Sequence, residues 1–301
     1  MKDIIQQIQK LKQEKNAVIL AHNYVRSEIQ DIADVLGDSL ELSIQAEKIK
    51  APLIVFCGVR FMAETAKLLS PDSVVLLPNS SAGCPMADMA DAEMVKQYRQ
   101  EHPDTMLVAY VNSTAGTKAY VDMCCTSGNV EKVLDSIPAD QKIMFLPDQN
   151  LGSNMINAKK RSMELWNGCC PIHNAVTVQM IRDIKAAHPG VAVLVHPECT
   201  PDVVAECDCA LSTGGILRYV RESDQKEFII GTECGILHRL QKENPDKTFY
   251  SILPELVCTD MKKITLEDVR DALLYEQEKI ELPPEIMQDA KKPIERMLAL
   301  K

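Results

Sequence analysis

Three times along this chain a short, β-branched apolar run gives way to a helical pattern, and the cycle then restarts. Runs too apolar to alternate belong in strands buried on both faces, and alternation with helices joins such strands in parallel. In the first third, residues 17–20 read as a strand ending in His22-Asn23-Tyr24, with further strands at 53–56 and 74–77. In the second, residues 106–111 end in Tyr110-Val111-Asn112, Cys124-Cys125-Thr126-Ser127-Gly128-Asn129 leads into a helix through Leu134, and 143–146 runs into Pro147-Asp148. In the last, residues 191–195 end in His196-Pro197-Glu198, residues 211–215 open a helix, and 228–230 end in Gly231-Thr232. The spacing predicts an α/β chain of three pseudo-equivalent αβα units, each with a small parallel sheet, over residues 1–88, 89–175 and 176–301.

Helix signals fill in the rest. Ser27 is expected to cap a helix with Gln30 as its capping-box partner and Gly37 past its end. Asp38-Ser39 opens the next helix over 40–50, and another spans 58–69. A late helix over 265–280 would bury Leu266, Val269, Leu273 and Ile280 on one face, and Pro283, Pro284 and Pro293 are expected to break the tail into short helices. Ile4, Ile5, Ile8 and Leu11 at helical spacing make the N-terminal segment an amphipathic helix rather than an export signal.

One cysteine follows the strand pattern of each third: Cys84, Cys170 and Cys258. Three thiolates brought to a common centre, with no evident fourth ligand, would hold a metal cluster with one open position. Eleven cysteines, an odd number, without an export signal point to reduced thiols in the cytoplasm rather than a disulfide framework. A net charge of −10 with no basic run makes nucleic acid and anionic membranes poor partners. No apolar stretch approaches the ~18 residues of a membrane span.

In open parallel sheets, ligands bind outside the carboxyl ends of the strands. That rule selects His22, Tyr24, Tyr110, Asn112, His196 and Glu198. Helix starts at Ser39, Ser127 and Ser212-Thr213 add backbone N–H groups and hydroxyls suited to carboxylate or phosphate. Taken singly, each residue is an ordinary structural one; only the threefold recurrence argues for function. Cys170-x-x-His173 is half of a zinc motif, and the sequence shows no second half. On the residues alone, an enzyme, a thiol-based metal or redox sensor, and a metal-free sugar-phosphate or dicarboxylate binder all stay open.

The segments HNYVRSEIQDIADVLGDS, FCGVRFMAETAK, SSAGCPMA, YVNSTAGTKA, CTSGN, FLPDQNLG, HPEC, STGG, GTE and PELVCTDMKK resemble the quinolinate synthase family, in order and spacing, from about Ala17 to Lys263. The resemblance implies three αβα units around a central [4Fe–4S] cluster held by Cys84, Cys170 and Cys258, the C-x-x-H spacing selecting Cys170 over Cys169. It implies condensation of iminoaspartate with dihydroxyacetone phosphate to quinolinate in NAD biosynthesis, with L-aspartate oxidase as a possible supplier. The implied substrate-binding residues are His22, Ser39, Tyr110, Val111, Asn112, Ser127, His173, His196, Pro197, Glu198, Ser212 and Thr213, with Tyr24 and Glu198 moving protons. Longer members carry a CxxCxxC run at the third ligand, whereas Cys258 stands alone here. Beside cluster and substrate carboxylates, like charges are expected to raise the pKa of Glu198.

Overall fold

The computed structural model describes Lys2–Leu300. Its elements repeat one order three times. The first unit runs α1 (Lys2–Glu14), β1 (Ala17–His22), α2 (Ser27–Ile32), β2 (Val35–Gly37), α3 (Ser39–Lys48), β3 (Leu53–Cys57), α4 (Arg60–Leu69), β4 (Val74–Leu76) and α5 (Pro85–Asp88). The second runs α6 (Ala92–Glu101), β5 (Met106–Tyr110), α7 (Ala115–Lys118), β6 (Met123–Cys125), α8 (Val130–Asp135), β7 (Ile143–Leu146), α9 (Gln149–Lys159), β8 (Glu164–Leu165) and α10 (Pro171–Asn174). The third runs α11 (Val178–Ala187), β9 (Ala192–Val195), α12 (Pro201–Ala205), β10 (Cys209–Ala210), α13 (Thr213–Glu222), β11 (Glu227–Gly231), α14 (Ile236–Glu243), β12 (Thr248–Ser251) and a single 3₁₀ turn, Asp260–Lys262. Two further helices, α15 (Leu266–Tyr275) and α16 (Pro284–Ala299), complete the chain.

Each unit builds one four-stranded parallel sheet with the same strand order: β2-β1-β3-β4, β6-β5-β7-β8 and β10-β9-β11-β12. The central strands β3, β7 and β9 are buried along their length, as the continuous apolar runs require. The two closing helices turn back onto the earlier units: α15 packs on α1 and β3, and α16 on β6 and α7. The fold class read from the sequence is the one observed.

Local expectations fail in three places. The first is α2, whose N-cap is Arg26 with no side-chain cap; Gln30 is instead buried, and its amide donates to the carbonyls of Asn23 (2.9 Å), Val25 (3.0 Å) and Gly235 (2.9 Å). That helix ends at Ile32, because pairing with β1 draws residues 35–37 into β2. Ile280 lies beyond α15, which stops where Glu276 turns left-handed (φ 50°); its N–H donates 2.8 Å to Val75 O at the edge of the first sheet. The tail is one helix, α16, that contains Pro293. An interior proline costs about 3 kcal/mol, and burial of Ala290, Ile294, Met297 and Leu298 offsets it at roughly 1.5–3 kcal/mol per large side chain.

Candidate functional site

Strand register superposes the three units residue by residue. Ala21 pairs with Cys57, Ala109 with Leu146 and Val195 with Gly231, so the positions that follow correspond. At the carboxyl end of the first strand stand His22, Tyr110 and His196, and two residues on stand Tyr24, Asn112 and Glu198. After the second strand come Ser39, Ser127 and Thr213; after the third, Val59, Asp148 and Glu233. The fourth strand leads in each case to the cysteine: Cys84, Cys170 and Cys258. All of these except Asp148 line one central cavity, together with His173.

Each cysteine precedes a helical turn, and its sulfur faces the N–H groups two and three residues on: Met86 and Ala87, Ile172 and His173, Asp260 and Met261. Burial pushes the Cys84 thiol up to about 12 and raises those of Cys170 and Cys258 as well. Two of the three loops are pinned from behind. Asp148 Oδ2 accepts the Cys170 N–H at 3.0 Å, and Glu233 Oε1 accepts the Cys258 N–H at 3.2 Å. Register places these two carboxylates at one position, which Val59 fills in the first unit. Burial, then the charge of Glu198, raises Asp148 to about 7.

The two histidines behave alike. Tyr24 N–H donates to His22 Nδ1 (3.2 Å) and Glu198 N–H to His196 Nδ1 (3.3 Å), which leaves the proton of each neutral ring on Nε2. Burial lowers both to about 3, so both rings are neutral at pH 7. Tyr24 Oη bonds Thr213 Oγ1 (2.7 Å) and Thr232 Oγ1 (2.6 Å), and burial keeps its phenol protonated. Asn112 Oδ1 is buried without a hydrogen-bond partner, an orphan acceptor in the cavity wall.

The protein's own groups set the charge of Glu198 before any cluster or substrate carboxylate adds to it. Burial works against its charge, but His196, His173 and Tyr110 more than offset this and hold the carboxyl below the usual range. Tyr110 Oη donates to Oε1 at 2.6 Å, and His173 Nδ1 lies 2.7 Å from Oε2. Within the protein these neighbours are imidazoles and a phenol, and the like charges of cluster and substrate would act in addition to them.

Three of the sequence-selected residues stand outside the cavity. Val111 is buried, its N–H on Cys125 O (2.7 Å); the Pro197 carbonyl accepts from Asn154 (2.9 Å); Ser212 caps α13 through Gly215 N–H (3.1 Å). Among the polar residues at the site that were not selected are Asp148, Glu233 and Asp38. Asp148 and Glu233 sit in the PDQN and GTE segments, at the end of a third strand like the selected residues at the ends of the first. Asp38 caps α3 through Leu40 and Glu41 N–H and also accepts Gly214 N–H at 3.0 Å, clasping the starts of α3 and α13.

Three parallel-sheet units that each deliver an equivalent row of polar side chains and one thiol to a shared cavity define a class of three-unit α/β enzymes with a pseudo-threefold centre. Comparison narrows the class. The chain belongs to the quinolinate synthetase A protein family, which it matches over residues 6–299. It is 48% identical to a quinolinate synthase of Geobacter metallireducens over 297 residues, covering 99% of this chain and 97% of that one. It is 50% identical to one of Methanoregula boonei over 98% and 97% of the two chains, and 48% to one of Thermodesulfovibrio yellowstonii over 98% of each. The family comprises iron–sulfur enzymes of NAD biosynthesis.

The donor set fits such a group. Three half-buried thiols face one cavity, and each has two backbone N–H groups aimed at its sulfur, the hydrogen bonding that stabilises cluster thiolates.

Proposed function

We propose that this chain condenses iminoaspartate (iminosuccinate) with dihydroxyacetone phosphate to give quinolinate, phosphate and water, as a transferase of NAD biosynthesis. The observation that carries the reading is the row-by-row delivery of polar side chains from all three units to one cavity. Cys84, Cys170 and Cys258 would hold a [4Fe–4S] cluster, which supplies a Lewis acid at the iron left without a protein thiolate.

The protein's own groups divide the remaining work. His22 and His196, with Nδ1 engaged by backbone N–H, donate from Nε2 to substrate carboxylate oxygens. Ser39, Ser127 and Thr213 offer hydroxyls at helix starts, where anions are favoured. The unpartnered Asn112 Oδ1 accepts from a substrate hydroxyl or imine N–H. Tyr24, whose phenol burial keeps protonated, donates a proton on one side of the substrate. On the other side the acid/base unit is the pair Glu198–His173, whose Oε2 and Nδ1 are 2.7 Å apart. Val111, Pro197 and Ser212 act from behind the wall, through backbone or capping bonds. Closure over the bound substrates would exclude the water that hydrolyses an imine.

The division into units at residues 88 and 175 and a cytoplasmic location belong to the same proposal, as does supply of the imine by an L-aspartate oxidase. Among the described residues no helix is long and apolar enough to cross a membrane. The test is anaerobic purification, iron and sulfide counting, and a quinolinate assay with the two substrates. Cluster-loaded protein that makes no quinolinate, or protein that never takes up iron, would overturn the proposal.

A further inference from the structure

We propose that the cluster-free chain holds a second kind of metal centre: one divalent ion of the Zn²⁺ type, bound by Cys170 Sγ, His173 Nδ1 and Glu198 Oε2. These three donors all lie within 4.8 Å of one another, and no other set of three or more His, Cys, Asp or Glu donors does so among the described residues. The sulfurs of Cys84, Cys170 and Cys258 do not all lie within that distance of one another.

The distances are close to those a tetrahedral ion needs. Bond lengths of about 2.3 Å to sulfur and about 2.0–2.2 Å to nitrogen or oxygen place S and N roughly 3.6 Å apart and N and O roughly 3.4 Å apart. Sγ and Nδ1 are 3.3 Å apart here, and Nδ1 and Oε2 are 2.7 Å apart. The second gap is a hydrogen bond that opens by about 0.7 Å when a metal replaces its proton. His173 and Glu198 are each 3% exposed.

Outer bonds already orient each ligand. His173 Nε2 is 2.8 Å from Thr232 Oγ1, Tyr110 Oη holds the other oxygen of Glu198 at 2.6 Å, and Asp148 holds the Cys170 backbone at 3.0 Å. Such outer-shell bonds select the ring nitrogen that binds and sharpen affinity. One thiolate and one carboxylate neutralise a divalent ion, which buried surroundings require. The fourth position opens to the cavity, as in three-ligand zinc sites. On binding, the Cys170 S–H bond breaks and its proton passes to buffer; the proton of the His173–Glu198 hydrogen bond leaves Nδ1 and, exchanged through solvent, is carried on Nε2 toward Thr232 Oγ1, and no electron moves.

Full-length chain freed of iron by chelation, handled without oxygen, is titrated with Co²⁺ as a spectroscopic substitute for Zn²⁺. The expected result is one ion per chain, a thiolate-to-cobalt charge-transfer band, intense tetrahedral d–d bands, and displacement by Zn²⁺. Cys170→Ser should abolish the charge-transfer band. His173→Ala and Glu198→Gln should each weaken binding at least ~10-fold. Cys84→Ser and Cys258→Ser should leave the spectrum intact. Loss of the band in either of those two, or unchanged affinity in His173→Ala, overturns the site. X-ray absorption of the zinc-loaded wild type needs no variant: one sulfur among the ligands supports the assignment, and two or three refute it. Zinc-loaded chain should also refuse cluster reconstitution until chelated. That arm alone rests on the proposed ligand role of Cys170, so iron uptake with zinc retained would overturn the ligand role and not the site.

Discussion

Lys118, the last residue of α7, is fully buried at 0% exposure, an unusual place for an ammonium. It donates to Ser113 O and to Thr65 Oγ1 (3.3 Å) and stands 5.5 Å from the centroid of Phe61, which lines the cavity. Burial lowers its pKa from 10.5 to about 8, against the opposing pull of Cys124, Glu64 and Cys84. The folded chain therefore holds this proton less tightly than the unfolded one. Below pH 8 both states are charged and the penalty is present in full. Between pH 8 and 10.5 the unfolded chain keeps a proton that the folded chain has lost, so stability rises with pH. A displacement of about 2.5 units at ~1.4 kcal/mol each gives a gain of up to about 3 kcal/mol. Lys118→Met keeps the stem and removes this dependence.

At neutral pH the variant escapes the burial penalty but leaves two acceptors without a donor, at about 1–3 kcal/mol each. Those effects oppose one another, so the sign at pH 7.5 decides nothing and the pH dependence decides the matter. Equilibrium urea unfolding of the cluster-free chain, wild type against Lys118→Met, should show their difference changing by up to about 3 kcal/mol between pH 7.5 and 10.5. A difference constant within about 0.5 kcal/mol would refute the burial argument. Because Ser113 follows Asn112 and Phe61 forms the wall, KM should rise more than kcat falls.

Cys84→Ala, Cys170→Ala and Cys258→Ala are each expected to lose cluster iron and activity together. Cys169→Ala, whose residue only rests its N–H on Met89 Sδ (3.4 Å), should keep both, and iron counting separates the cases. Glu198→Gln cannot act as a charged acceptor toward both Tyr110 and His173, and turnover should fall ~10²–10⁴-fold with the cluster spectrum unchanged; near-normal turnover removes Glu198 from the mechanism. In Gly214→Ala the new Cβ would stand 2.7 Å from Asp38 Oδ2, so the carboxylate must release the Gly214 N–H. A stability loss of about 1–3 kcal/mol with a raised KM is expected, and thermal unfolding indistinguishable from wild type would show that the α3–α13 clasp is dispensable.

Much of the site was legible because parallel sheets place function at strand ends, and a strand end is visible in sequence. His22, Tyr110 and His196 stand at the carboxyl ends of first strands, and Ser39, Ser127 and Thr213 follow second strands, as the periodicity required. The same logic applied to third strands would have found Asp148 and Glu233. It would not have shown that they hold the cysteine loops, since those bonds reach 22 and 25 residues along the chain.

Sequence alone determined the threefold α/β plan and the thiol in each unit, because burying apolar runs with satisfied backbone bonds is a local demand written in residue type and period. Tertiary structure decided what each group became. Ile280 left its helix because the edge of the first sheet offered its N–H an acceptor in Val75. Asp38 caps its own helix, a local act, but meets Gly214 only across 176 residues, and Lys262 reaches the Tyr24 carbonyl across 238. Glu198 is the sharpest case. Its charge state depends on Tyr110, 88 residues away, and on His173 and His196, and desolvation and Coulomb energies exist only once those groups share one buried space.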